Sequence, residues 1–95
     1  MKYKNEWVLV NGRWHNRPDM TLYKFDKNMK AKTMGYVLWS DSRKAYYSLG
    51  KNGTLGWFKT PSEGKKYMLE SYGLGKVREI QRSKLTDDYW KVRKE

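Results

Sequence analysis

The sequence predicts one small α+β domain, in which an antiparallel sheet carries a helix on one face. Three observations favour this fold. The chain has 95 residues, which suffices for a single domain (1–95) with one modest core. Short aromatic-rich runs alternate with polar turns, as in strands joined by hairpins. A threonine-proline pair then opens a stretch that ends at a glycine, as a capped helix does.

The first hairpin is expected at about 6–16. Asn11-Gly12 lies between two short apolar or aromatic runs, and this pair suits a type I′ turn because both central residues need positive φ. The pattern predicts strands at about 6–10 and 13–16, ended by Pro18-Asp19. Another strand is expected at 21–25, followed by a lysine-rich loop at 26–33.

The second hairpin region is expected at about 35–59. Strands are predicted at 35–40, 43–49 and 54–59, separated by short polar turns. Side chains alternate between the two faces of a strand. On the middle strand this gives two sets: Ala45, Tyr47 and Leu49 on one face, and Lys44, Tyr46 and Ser48 on the other.

One helix is expected at about 61–72, packed on one face of the sheet. Thr60 suits the N-cap, Pro61 the first helical position, and Glu63 the capping box, while Gly73 suits the C-cap.

Four-residue spacing places Gly64, Met68 and Tyr72 on one face of this helix, where the glycine allows a close approach to the sheet. Further along, Val77 and Ile80 fit a helix better than a strand. A short C-terminal helix is expected near 86–94.

The composition favours a polyanionic partner. The net charge is +11, and lysines outnumber arginines by 15 to 6. Lysine acts as a flexible point charge suited to phosphates, whereas arginine more often reads base edges. We therefore expect contacts with a nucleic-acid backbone. The candidate nucleic-acid-binding residues are Lys30, Lys32, Arg43, Lys44, Tyr46, Ser48, Lys51, Trp57 and Lys59.

Aromatic residues are interleaved with these cations and have two interpretations. They can stack on splayed bases, or they can simply form the core of a chain that is poor in aliphatic residues. Tyr46 and Tyr47 are adjacent and so face opposite ways on a strand. At least one of the two should therefore leave the main core, unless a second layer covers it.

Residues 35–72 resemble the AP2-type DNA-binding domain, found in plant transcription factors and in phage and mobile-element proteins. The residues that carry the resemblance are Gly35-Tyr36-Val37, Leu55-Gly56-Trp57-Phe58, Thr60, Glu63, Gly64 and Tyr72. The resemblance implies three antiparallel strands followed by one helix, with the exposed sheet face entering the DNA major groove.

Carried over to this chain, that exposed face would present Lys44, Tyr46 and Ser48, with Thr54 at the start of the third strand. The chain departs from the family at its first strand. The family usually supplies arginines there, whereas this chain has the run 36–39, Tyr-Val-Leu-Trp.

Other site chemistries find little support. The chain has no cysteine, and His15 is its single histidine, without acidic residues at ligand spacing. Asp87-Asp88 suits a helix N-terminus better than a catalytic pair. We expect no enzymatic activity, no metal and no cofactor. Because no apolar run is long enough for a membrane span or a signal peptide, we expect no membrane partner and a cytoplasmic location.

We therefore expect a non-enzymatic protein that binds nucleic acid, with DNA favoured over RNA. An alternative is a small phage-type inhibitor that binds and blocks a host or defence protein, or a nucleoprotein complex. Aromatic residues and arginine also anchor protein interfaces, so composition leaves both open. Association with RNA is a third possibility.

Overall fold

The structure is a computed structural model that describes residues 3–86. Its elements are β1 (Trp7–Trp14), β2 (Arg17–Phe25), β3 (Ala31–Ser40), β4 (Ala45–Leu49), β5 (Leu55–Phe58), α1 (Pro61–Ser71) and β6 (Arg78–Gln81). The strands form one sheet in the order β5-β4-β3-β2-β1-β6. Neighbouring strands are antiparallel except for the parallel pair β1 and β6. The predicted α+β class, with one main helix on the sheet and a short C-terminal helix, is confirmed.

The first hairpin turns later than predicted. Strand β1 runs straight through Asn11-Gly12, and the chain reverses at His15-Asn16, whose φ angles of 50° and 63° are those that a tight hairpin turn needs. Pro18 and Asp19 do not end the pattern but lie inside β2. Proline is tolerated because the pairing of β2 with β3 begins only at Met20, so that Pro18 has a strand neighbour on one side alone.

The loop between β2 and β3 is shorter than the predicted 26–33. The carboxylate of Asp26 accepts hydrogen bonds from the backbone N–H groups of Asn28 (2.7 Å) and Lys30 (2.9 Å), which closes the turn. The bond from Lys30 is the main reason why the pKa of Asp26 lies below its ordinary value. Residues 31–33 already belong to β3.

The predicted helix is confirmed with Thr60 as its N-cap, although it ends at Ser71 and its C-cap is Tyr72, one residue before Gly73. The Thr60 side chain accepts a hydrogen bond from the N–H of Glu63 at 3.3 Å, and Gly73 has a φ of 70° just after the helix. Gly64 is buried against β3, where an added Cβ would lie 2.9 Å from Cγ1 of Val37. The Ser48 hydroxyl donates to the carbonyl of Gly64 at 3.1 Å and ties α1 to β4.

The sheet carries a buried cluster on each face. On the face beneath α1, called the helix face, the buried cluster is Leu9, Leu22, Val37, Tyr46, Met68 and Leu69. On the opposite face the buried cluster is Tyr3, Val8, Val10, Phe25 and Met29. This second cluster lies over β1 and β2, and Ile80 of β6 packs against it. The β1–β2 half of the sheet is therefore buried on both faces, and the β3–β5 half on one.

The C-terminal part differs from the prediction. Ile80 belongs to strand β6, which pairs with β1, and its side chain packs on the second buried cluster. Residues 82–86 are helical, so that this helix begins before Thr86, whose hydroxyl donates to the carbonyl of Arg82. Most of the range predicted for it, 86–94, lies outside the described residues.

Glu79 joins three elements. Its carboxylate accepts hydrogen bonds from Asn11 on β1 and from Lys65 on α1, both at 3.1 Å. Burial alone would raise the pKa of Glu79, but these two bonds and the charge of Lys65 outweigh it and hold the pKa below its ordinary value of 4.5. Such a carboxylate stabilises the fold when ionised, and this contribution disappears as the pH falls through the folded-state pKa.

We predict that Glu79→Gln flattens the loss of stability at acid pH. Urea unfolding at about pH 7 and pH 3.5 should show a smaller difference in unfolding free energy than in the parent, by up to about 1 kcal/mol because the pair is partly exposed. Glu70→Gln, at an exposed position of α1, is the matched control and should keep the parent's pH dependence. Equal pH dependence in all three proteins would contradict this role of Glu79.

We also predict that Gly64→Ala destabilises the protein although alanine favours helices. Crowding against the stiff Val37 side chain should cost about 1–3 kcal/mol, more than the gain of about 1 kcal/mol in helix propensity. Chemical denaturation of Gly64→Ala, Val37→Ala and the double variant measures the coupling. The double variant should lose less stability than the two single losses together. A stabilised Gly64→Ala protein would show that α1 does not approach the sheet there.

Candidate nucleic-acid interface

The face assignment predicted for the middle strand of the second hairpin is wrong. Tyr46 is only 6% exposed and Ser48 is fully buried, both on the helix face. Tyr46 packs on Trp39, and Ser48 bonds to α1. These two candidates therefore cannot contact a ligand. The reason is that α1 covers the face that the prediction left to solvent.

The opposite face of β3–β5 presents a row of aromatic and aliphatic side chains instead. We call it the open face, and it consists of Tyr36, Leu38, Tyr47, Leu49, Leu55 and Trp57. Leu55 is 48% exposed and Trp57 43% exposed, and the other four are half-buried. Large apolar side chains exposed together on one sheet face commonly mark a binding surface.

Three rings form a continuous line across the three strands of the open face. The ring centroids of Tyr36 and Tyr47 are 6.0 Å apart, and those of Tyr47 and Trp57 are 5.5 Å apart. Cross-strand register produces this line, since Tyr47 lies directly opposite Trp57 and diagonal to Tyr36.

An arginine lies on the outer margin of the open face. The Arg43 guanidinium comes from the turn between β3 and β4 and lies 5.0 Å from the ring centroid of Trp57. This contact holds a cation beside the ring and leaves both groups accessible, since Arg43 is itself exposed.

A second arginine lies on the inner margin. Asp19 of β2 is 4% exposed and directly precedes Met20, where the pairing with β3 begins, and its carboxylate forms a 2.6 Å ion pair with Arg82. Gly12 of β1 makes room for this pair, because a Cβ there would lie 2.7 Å from the guanidinium carbon of Arg82. The carboxylate that adjoins the open face is therefore neutralised, and the guanidinium remains partly exposed.

Nearby carboxylates are directed elsewhere. Asp41, in the turn that also carries Arg43, accepts a hydrogen bond at 2.8 Å from the indole N–H of Trp39, a helix-face residue. Glu79 is bound to Lys65 and Asn11 on the helix face. In the described part of the chain, the surroundings of the open face are therefore mainly cationic.

The predicted cations fall into two groups at opposite ends of β3–β5. Lys30, Lys32 and Lys51 lie at the end where β3 begins and β4 ends, while Arg43, Lys44 and Lys59 lie at the other end. All six are exposed. Of the predicted aromatic candidates, Trp57 lies between the two groups on the open face. The structure thus brings Arg43 and Trp57 into contact. The other five cations lie around the edge of the open face, which we call its rim.

A shallow cleft with a volume of about 260 Å³ adjoins the open face at the Lys51 end. Tyr36 and Leu49 of the open face line one side of it, and Gly35, Gly50 and Tyr72 line another. The Tyr72 hydroxyl donates to the carbonyl of Met34 and helps to fix this wall.

Sequence reasoning missed four residues of this surface, namely Tyr36, Leu38, Leu49 and Leu55, and also Arg82 at its margin, and it left open whether Tyr46 or Tyr47 would leave the core. The small residues at 35, 48 and 56 could have identified the face that the helix covers. A helix that contains glycine can approach a sheet closely where the side chains of the sheet are small. These positions share the helix face.

Among residues 3–86 no group of histidine, aspartate and glutamate side chains is placed to hold a metal ion. Within the same range no helix is long and apolar enough to cross a membrane. Comparison of the chain with protein families, with characterised proteins and with solved structures finds no match.

Proposed function

We propose that this is a non-enzymatic nucleic-acid-binding protein of the cytoplasm, and that the open face is its contact surface. The observation that carries the proposal is a partly exposed aromatic sheet face with the Arg43 guanidinium on one margin and, on the other, an Asp19–Arg82 pair in which the two charges neutralise each other. A polyanion with aromatic bases matches both the charge and the rings.

The two groups of rim cations supply the electrostatic part of binding. Each lysine or arginine that meets a phosphate releases condensed counterions, which makes affinity fall as salt rises. Exposed rings add stacking contacts that any base can satisfy. With lysine-rich ends and few arginines, we expect affinity without strong sequence preference, and we favour DNA over RNA.

The AP2-type resemblance is compatible with this proposal in one respect. Strands β3, β4 and β5 are antiparallel and are followed by α1 on one face, the order that the resemblance implies. Of the residues carried over from it, Tyr46 and Ser48 are buried while Lys44 and Thr54 are exposed, so the proposal rests on the open face instead. Membership in that family stays a hypothesis.

A second candidate function, an inhibitor of a host or defence protein, is favoured by the edge of the sheet. Strand β5 has a neighbour on one side only, and its side chains Leu55 and Trp57 are exposed. An edge strand with exposed apolar residues can pair with a strand of a partner protein. Capture of a defined protein that survives nuclease treatment, by a protein that binds no oligonucleotide, would support this candidate.

We predict that affinity for a DNA oligonucleotide falls steeply with salt and depends on Arg43. If about six phosphates are contacted, log K should fall with log salt at a slope near −5. Arg43→Ala should reduce the affinity about three- to tenfold at low salt and make the slope shallower by about 1. Fluorescence anisotropy with a labelled oligonucleotide measures both quantities.

Lys66→Ala is the matched control for this experiment. It removes the same charge from an exposed position of α1, on the other side of the sheet, and should reduce the affinity less than Arg43→Ala does. A flat salt titration would contradict the proposed function. Equal losses in the two variants would show that overall charge, and not the open face, governs binding.

A further inference from the structure

We propose that the open face takes single-stranded nucleic acid with splayed bases, in preference to a duplex. This inference rests on the proposed function and adds the class of ligand to it. Three features of the face carry it, namely the chemistry of its side chains, the line of rings and the placement of the cations.

The side chains of the open face suit exposed base faces better than groove edges. Its polar atoms are the two tyrosine hydroxyls and the indole N–H of Trp57, while Leu38, Leu49 and Leu55 offer none. Reading a groove requires forked donors and acceptors such as those of arginine, asparagine and glutamine. A duplex keeps its bases stacked inside, so it would leave these leucines against phosphates and water.

The line of rings gives unstacked bases separate places to bind. Tyr36, Tyr47 and Trp57 come from three adjacent strands and have centroids 5.5–6.0 Å apart, too far for the rings to stack fully on one another. A base can insert beside a ring only after it leaves its own stack. Single strands allow this at little cost, whereas a duplex must first be opened.

The cations lie where the sugar-phosphate backbone of a nucleic-acid strand crossing the open face would pass its two margins. Lys51 follows shortly after Leu49, which pairs with Tyr36 at one end of the line of rings, and the Arg43 guanidinium lies 5.0 Å from the ring centroid of Trp57 at the other end. A guanidinium can itself stack on a base, so Arg43 can serve the sugar-phosphate chain and a base together. On the β2 side Arg82 is paired with Asp19, so that this pair leaves no net negative charge to repel a phosphate there.

Electrostatics alone would give the opposite preference, which makes the inference testable. A duplex has the higher charge density and the steeper salt dependence per phosphate, about −0.9 against about −0.7 for a single strand. A protein that binds only through its net charge of +11 therefore favours duplex. Preference for the single strand requires contacts with the bases.

The test compares two labelled complementary oligonucleotides of mixed sequence, each about 20 nucleotides long and free of self-complementary stretches, with the duplex that they form, by fluorescence anisotropy at the lowest salt that keeps the duplex annealed. The 95-residue chain is used as the parent. We expect both single strands to bind at least tenfold more tightly than the duplex, since stacking contributes roughly 1–3 kcal/mol per base. Trp57→Leu should weaken single-strand binding about tenfold and change duplex binding less than twofold.

Two further variants make the result independent of one substitution. Tyr36→Leu, at the other end of the line of rings, should also weaken single-strand binding selectively. Lys66→Ala, outside the open face, should affect single strands and duplex alike. Thermal unfolding of each variant establishes that it is folded at the temperature of the assay.

The outcomes separate this inference from the proposed function. Equal or tighter binding of the duplex, or equal losses for both ligands in Trp57→Leu, would overturn the single-strand inference and leave nucleic-acid binding standing. Absence of binding to all three oligonucleotides would overturn both. A free protein that is a stable dimer with the open face buried between its copies would also overturn the inference, since the ligand could not reach the rings.

Discussion

The close approach of α1 to the sheet at Gly64 is the constraint on which the rest of the structure depends. The absent side chain at this position brings the helix backbone near enough for the Ser48 hydroxyl to bond to a helix carbonyl and for Val37 to fill the remaining space. Once these two residues lie beneath α1, the strict alternation of side chains decides the other face as well. Tyr47 and Trp57 then have no place in the core and are presented to solvent.

The two halves of the sheet consequently have different physical roles. Strands β1 and β2 are buried on both faces, so this half contributes most of the apolar burial that stabilises a small domain. Strands β3, β4 and β5 have one core face, closed by α1, and can leave the other free for a ligand. An open surface of this kind lowers the stability of the fold, because leucines and rings that stay exposed to water contribute no hydrophobic free energy to folding. The burial on both faces of β1 and β2 offsets that cost.

Local signals predicted the helix and the strands of the second hairpin region, whereas the largest errors arose from contacts between residues far apart in the sequence. Thr60, Pro61 and Gly73 define the helix because capping is decided by neighbouring residues, and the strands at 35–59 follow from turn residues for the same reason. The first hairpin turn lies at residues 15–16 and not at the predicted Asn11-Gly12, because pairing over a longer strand outweighed the local turn preference.

Alternation defines the two faces of β4 but does not determine which face a helix will cover. Strand β6 pairs in parallel with β1, some 70 residues away in the sequence. The four residues of β6 alone give no local signal for that pairing. The candidate cations were predictable as exposed residues, while the aromatic surface between them depended on the face that was assigned wrongly.

The ion pair between Asp19 and Arg82 links the chain beyond β6 to the sheet. Within the described residues the other carboxylate oxygen of Asp19 has no hydrogen-bond partner, so Arg82 is its main source of compensation. If residues 82–86, which carry Arg82, were to detach, the Asp19 carboxylate would lose its counter-charge beside the open face. The local potential would become negative there, and a negatively charged molecule would be repelled. Under the proposed function, docking of residues 82–86 and occupancy of the open face would therefore be coupled thermodynamically, each strengthening the other.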